Sequence, residues 1–233
     1  MCLFPGEPAD PRPRDRFASV RWFSLTSALS MLFYQRVLGH PFVYNRIRPF
    51  VVGGIDWSPL YEKLESRPGD VIVDVGCGTG IAHDYLRGFA AYFGFDTDQV
   101  AIDFARQNKS GPNVTYTCGI FTAEDIARIQ PTRIILAGLL HHLSDGDALS
   151  LLRMCAQAPS VKRIATSDVV YLPKQFVSNA LAYFDRGKFV RKPAQYVDLI
   201  TQAGLRIVRQ DVVRSHPTNG KALYFMTALE PGG

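Results

Sequence analysis

With 233 residues, 47% of them hydrophobic and 20% charged, the chain can bury a sizeable core and is too apolar for a disordered segment. Its formal charge of +5 is concentrated at one end: residues 1–50 hold seven arginines against Glu7, Asp10 and Asp15, leaving a near-neutral remainder that argues against a broad nucleic-acid-binding face. Four scattered cysteines (Cys2, Cys77, Cys118, Cys155) show neither a C-x-x-C pair nor zinc spacing, so they read as free thiols of a cytoplasmic, reducing compartment, and no metal site is read from the sequence.

Residues 1–18 mix prolines with arginines and acids and read as a flexible tail. Ser19 to Leu38 is helical in pattern, with Trp22, Leu25, Leu29, Leu32 and Phe33 on one stripe and Phe23, Met31 and Tyr34 off it. Its uncharged run, Trp22–Tyr34, is 13 residues, short of the roughly 20 that span a bilayer. Three readings stay open for it: a helix between core and substrate, a homodimer contact, or an interfacial helix making peripheral membrane contact through its arginines. With a short helix from Ser58 to Ser66, capped by Asp56 or Ser58, it forms a helical cap over residues 19–66.

The main domain, 67–233, opens with Val71-Ile72-Val73-Asp74-Val75, an apolar run broken by one acid, as a strand buried on both faces reads. Gly76-Cys77-Gly78-Thr79-Gly80 follows, a turn whose glycines let backbone approach a ligand. A helix over Ile81–Phe89 would aim its free N–H groups at that ligand. Strands are expected at Ala90–Phe95, Val114–Cys118, Ile134–Ala137 and Arg163–Val170, alternating with helices at Val100–Gln107, Ala123–Ile129 and Ala148–Gln157. An irregular aromatic stretch, Tyr171–Arg191, precedes a helix opened by Pro193 and closed by Gly204. Strands Leu205–Val213 and Leu223–Leu229 then form a hairpin. This alternation makes a doubly wound α/β fold with a mostly parallel sheet and an antiparallel closing strand.

The chemistry rests on three places. G-x-G-x-G lacks the third glycine of a dinucleotide fingerprint, since position 81 is Ile. Asp96, 20 residues after Gly76 at the end of the second strand, can accept hydrogen bonds from both hydroxyls of a ribose. Together they make a nucleoside half-site that needs no pyrophosphate. His141 and His142 follow the fourth strand, where an imidazole suits proton removal at neutral pH.

These segments resemble the class I S-adenosylmethionine-dependent methyltransferases. Asp74–Gly80 looks like their first motif, Gly94-Phe95-Asp96 like their second-strand acid, and Leu140-His141-His142-Leu143-Ser144-Asp145 like the segment after their fourth strand. The resemblance implies a Rossmann-like seven-stranded sheet of order 3-2-1-4-5-7-6 with strand 7 antiparallel, and S-adenosyl-L-methionine as cofactor. It implies that Asp74 and the backbone of Gly76, Cys77, Gly78 and Gly80 hold the methionine moiety, and that Asp96, beside Thr97, holds the ribose. Gly138 and Leu139 then line the sulfonium. Two departures stand out. Cys118-Gly119-Ile120-Phe121 offers no carboxylate for adenine, which leaves Ile120 and Phe121 to pack on it. Ala158-Pro159-Ser160-Val161 replaces the common Pro-Gly-Gly turn.

For the acceptor, the aromatics Phe33, Tyr34, Tyr171, Tyr183 and Phe184 suggest a small, largely apolar or aromatic molecule methylated on O or N. Arg186 and Arg191 read as surface residues or as partners of an acidic acceptor group. Of the two histidines His142 is preferred as catalytic base, His141 being the other candidate; capping or supporting roles for both stay open. A membrane-surface lipid or quinone methyltransferase and a non-catalytic binding subunit are the alternatives. Nucleic acid is not an expected partner.

Overall fold

A computed structural model describes residues 53–232 except 87 and 186; the tail, the 19–38 helix, Phe33, Tyr34 and Arg186 lie outside them. Seven strands form one sheet: β1 Val71–Val75, β2 Ala91–Asp96, β3 Val114–Cys118, β4 Arg133–Ala137, β5 Arg163–Val169, β6 Leu205–Arg214 and β7 Leu223–Pro231. Their order is β3-β2-β1-β4-β5-β7-β6. The first five run parallel, and β7 lies antiparallel between β5 and β6. This is the Rossmann-like arrangement expected of the sequence.

Strand side chains alternate between faces, so each apolar run feeds two cores. On one face Val73, Val75, Ile134, Leu136 and Ile164 pack with helices α4 (Ala123–Ile129), α5 (Asp145–Ala156) and α7 (Pro193–Gln202). On the other, Ile72, Tyr92, Ile135 and Ala165 pack with α1 (Ser58–Leu64), α2 (Ala82–Tyr85) and α3 (Gln99–Asn108). No helix among the described residues is long and apolar enough to cross a membrane.

Short polar side chains start the helices that border the ligand-facing edge. Asp98 accepts the Val100 and Ala101 N–H groups at the start of α3, and Thr122 with Asp125 forms a capping box on α4. Ser144 accepts the Asp147 N–H and opens α5 three residues earlier than expected.

Three expectations need correction. The Ile81–Phe89 helix is one turn, α2, because Leu86 leaves it in extended conformation. The Gly80 N–H is donated to the Cys77 carbonyl and the His83 N–H to the Gly80 carbonyl, so these N–H groups are used within the turn and not left free as at a helix end. Trp57, not Asp56 or Ser58, occupies the N-cap of α1, with Asp56 Oδ1 accepting the Ser58 N–H at 2.9 Å. The aromatic stretch holds a regular helix, α6 (Phe176–Tyr183). Its Ser178 hydroxyl accepts the buried Leu223 N–H, and Asn179 exchanges two hydrogen bonds with the Leu172 backbone. These bonds anchor α6 to the start of β7 and to the chain after β5.

Candidate active site

The carboxyl ends of β1, β2 and β4 converge on one edge of the sheet, the place where open α/β sheets bind ligands. Gly76, Gly78 and Gly80 all take positive φ (76°, 52° and 76°), which side-chain-bearing residues adopt only with strain. The Gly76 and Cys77 N–H groups are both donated to the Phe95 carbonyl, tying the loop to β2. The Cys77 thiol turns behind the loop against Gly94, where burial pushes its pKa up; it is packing, not a nucleophile.

Asp96 supports the loop from β2. Its Oδ2 accepts the Gly78 N–H at 2.8 Å and its Oδ1 the Asp98 N–H at 2.9 Å. Each carboxylate oxygen has a second lone pair for a hydroxyl. Among the described residues, a Cβ added at Gly78 or at Gly119 would meet nothing within 4 Å, so no described side chain fills the space in front of the loop there. Thr97 is exposed beside Asp96, and Ile120 is 77% exposed at the end of β3. Phe121 instead packs against Phe95 in the core, so of that pair only Ile120 reaches the surface.

Asp74 is buried beneath the loop. The Tyr92 hydroxyl donates to its Oδ2 at 2.8 Å, while Oδ1 has no hydrogen-bond partner. Burial raises its pKa to about 7, the Tyr92 bond opposing and Asp96 adding to the shift. An acid raised in the folded state binds more protons there than in the unfolded chain, which titrates near ~3.9. The stability of the ligand-free protein therefore falls as pH rises from about 4 to about 7 and levels off above that. Denaturant titrations across this range should show a component on the order of 4 kcal/mol that Asp74→Asn lacks. An unchanged pH slope in that variant would refute the assignment.

β4 leads into Gly138, at φ 67°, and a 3₁₀ turn, Leu140–His142. Leu139 lies over Gly76, where a Cβ would sit 3.3 Å from its Cδ1, so the turn borders the glycine loop. His141 is fully buried. Asp168, at the end of β5, accepts the His141 backbone N–H at 3.1 Å and faces its Nδ1 at 2.7 Å. On the other side Asp185 Oδ1 lies 3.2 Å from Nε2, in a geometry too bent for a hydrogen bond. Burial alone would lower the imidazole pKa, but the two aspartates outweigh it and the net shift is upward. His142 is exposed, its ring 4.3 Å from that of His141. The two rings thus divide into a clamped, inaccessible member and a solvent-exposed one.

Tyr183 and Phe184 end α6 with their rings edge to face at 5.4 Å, 72% and 51% exposed. Tyr171 is half-buried, its pKa raised by burial and by neighbouring Tyr183 and Asp185. Asp185 thus joins this aromatic group to the histidine turn.

Arg191 is neither a surface residue nor open to an acidic acceptor. It is 4% exposed, and its Nη atoms donate to the Leu140 and Leu143 carbonyls at 2.7 Å each while Nε donates to Asp145 at 2.8 Å. The guanidinium fork thereby holds the 3₁₀ turn shut. A lysine ammonium, with its three donors on one nitrogen, cannot span the acceptors that the three guanidinium nitrogens reach, so Arg191→Lys should destabilise the protein by ~2–4 kcal/mol through orphaned carbonyls. Urea unfolding measures this, and a loss below ~1 kcal/mol would show that the turn stands without the clamp.

Asp168, Asp185 and Gly187 were not singled out as site residues by the sequence, and Arg191 was read there as a surface residue or a partner of an acidic acceptor group rather than as the clamp on the turn. Asp168 carried a readable signal, being an acid near the end of the expected strand Arg163–Val170, as Asp74 is within β1.

Residues 72–159 match the family model described as "Methyltransferase domain". No curated protein matches the chain. Among solved structures, a chain of the Haloferax volcanii complex between the Trm112 methyltransferase activator and a methyltransferase is 16% identical, with TM-score 0.59 over 76% of this chain and 90% of that one. Magnesium protoporphyrin IX methyltransferase from Synechocystis, solved with bound SAH, is 15% identical with TM-score 0.55, covering 88% of this chain and 95% of its own. Human N-acetylserotonin methyltransferase, in complex with SAM, is 18% identical with TM-score 0.58 over 87% of this chain and 59% of its own. These likenesses share the fold. The domain match, the open glycine loop and the placement of Asp96 indicate S-adenosylmethionine as the cofactor.

Proposed function

We propose that the chain transfers a methyl group from S-adenosylmethionine to an O or N atom of a small, largely apolar or aromatic molecule. The observation that carries this reading is the Asp185–His141 contact, which sets the aromatic residues of α6 beside the turn that borders the cofactor loop. When bound, the cofactor supplies a methyl group already activated on positive sulfur. What remains for the protein is chiefly positioning, worth ~7–11 kcal/mol in well-oriented cases.

In this reading Asp96 holds the ribose hydroxyls, Ile120 covers one face of the adenine, and Asp74 lies buried under the methionine end. Gly138 and Leu139 line the reacting centre. Tyr171, Tyr183 and Phe184 exclude water from the acceptor, and exposed His142 is the one of the two histidines that an acceptor heteroatom can reach.

Calorimetric titration of the full chain with S-adenosylmethionine is the first test; no binding at millimolar cofactor would overturn the reading. His142→Ala should then lower turnover far more than it lowers cofactor affinity. Equal loss of both would remove His142 from the acceptor side.

A further inference from the structure

The histidine turn contains more polar chemistry than positioning an acceptor requires. His141 Nε2, His142 and Asp185 bring three ligand atoms within 4.8 Å of one another. Asp185 follows His142 only after α5, β5 and α6, so no local spacing in the sequence shows the group. From this convergence we propose that His141, His142 and Asp185 form a site for a divalent cation of the zinc class; the proposal rests on the methyl-transfer reading above only for the use of the ion, not for its binding.

Four features point the same way. First, the Asp168 carboxylate lies on Nδ1, at 2.7 Å, which leaves Nε2 as the ring nitrogen facing Asp185. A carboxylate behind a histidine is the usual support of a metal-bound imidazole. Second, Nε2 is a buried nitrogen with no hydrogen bond in a fully buried ring. Third, its 3.2 Å separation from Asp185 Oδ1 suits a shared ion: with metal–ligand bonds of roughly 2.0–2.1 Å, two atoms that far apart subtend about 100°, near tetrahedral. Fourth, imidazole and carboxylate ligands suit zinc and its neighbours better than magnesium or calcium, which prefer all-oxygen sets.

The site is closed on its inner side and open on its outer one. His141 and the Asp185 carboxylate are buried, whereas His142 is exposed. Three protein ligands leave one position vacant, as in catalytic rather than structural zinc sites. An acceptor hydroxyl ligated there would release its proton to solvent, and its oxygen would take the methyl group as the sulfonium becomes a neutral thioether. His142 is then a ligand and not a free base, and the acceptor is a hydroxylated molecule.

The test uses the full chain freed of metal with a chelator and titrated with Zn²⁺ alone, then with Co²⁺ to read coordination from its visible absorption. One ion per chain is expected, with a tetrahedral Co²⁺ spectrum. Asp185→Asn and His142→Ala should each weaken Zn²⁺ binding at least tenfold, and Asp168→Asn by about 10–100-fold. Cys118→Ser, which changes a half-exposed thiol elsewhere, should leave it unchanged. Absence of binding, or equal binding by wild type, Asp185→Asn and His142→Ala, would overturn the site and leave His141 as an imidazole held between two carboxylates. Titration of the same samples with S-adenosylmethionine separates the two readings: cofactor binding without zinc binding sinks the site alone, and the reverse sinks the methyl donor alone.

Discussion

Replacing Asp96 by alanine is expected to weaken S-adenosylmethionine binding at least 100-fold. Its carboxylate has two jobs at once. It accepts the Gly78 N–H and the Asp98 N–H, and so sets the height of the glycine loop and the start of α3. Its remaining lone pairs face the space where the ribose hydroxyls sit in the proposed complex. Hydrogen bonds to an ionised group contribute ~1.5–3 kcal/mol each, and two of them lost correspond to two or more powers of ten at 1.4 kcal/mol per decade. Asp96→Asn keeps one acceptor oxygen and should lose less. Fold stability should change modestly, because Asp96 is only half-buried and water can reach the orphaned N–H groups. Calorimetry on the folded variant measures the effect. A loss below tenfold in Asp96→Ala would mean that Asp96 supports the loop without touching the cofactor.

The sheet was legible because its code is local. Val71–Val75 and Ile134–Ala137 are short, mostly apolar runs whose alternate residues serve opposite cores, and the segments between the strands read as helices. The glycine loop and Asp96 were legible for the same reason, since a turn and a strand end lie within one β-α-β unit. Helix α6 was not, because Phe176, Val177 and Tyr183 are exposed and no side chain caps its start at Gln175. An amphipathic pattern therefore never emerged. The clamp on the turn was invisible for another reason. Arg191 reaches Leu140 and Leu143, and Asp185 reaches His141, across the ends of parallel strands, and no spacing along the chain encodes which strand ends become neighbours. Sequence alone therefore exposed the glycine loop and Asp96 and concealed the contacts that hold the histidine turn.

Those concealed contacts should be most sensitive at Gly187. Its backbone lies directly on His141: an added Cβ would fall 2.0 Å from His141 Cδ2 and 2.7 Å from the His141 carbonyl oxygen. Contacts under 3 Å are relieved only if something moves, and His141 cannot, because its ring and its backbone N–H are both held by Asp168 and the ring is wholly buried. The other partner must lift instead. Phe189, whose N–H is donated to that same carbonyl at 2.9 Å, and Asp185, whose Oδ1 accepts the Gly187 N–H at 3.1 Å, would be carried away with it. Gly187→Ala should therefore cost ~1–3 kcal/mol, the usual range for overpacking, and lower Tm by roughly 2–4 °C for each of them. The larger effect is on activity: turnover should fall by more than tenfold at temperatures where the variant is fully folded, with cofactor affinity within a factor of about three, because the glycine loop and Asp96 make no contact with this segment's hydrogen bonds. Zn²⁺ affinity should fall in parallel with turnover, since both need Asp185 against His141. Differential scanning calorimetry, steady-state kinetics and calorimetric titration on one preparation decide the matter. A variant as active as wild type would show that the contact between α6 and the histidine turn is packing alone, and cofactor affinity falling as far as turnover would place the damage in the nucleoside site instead.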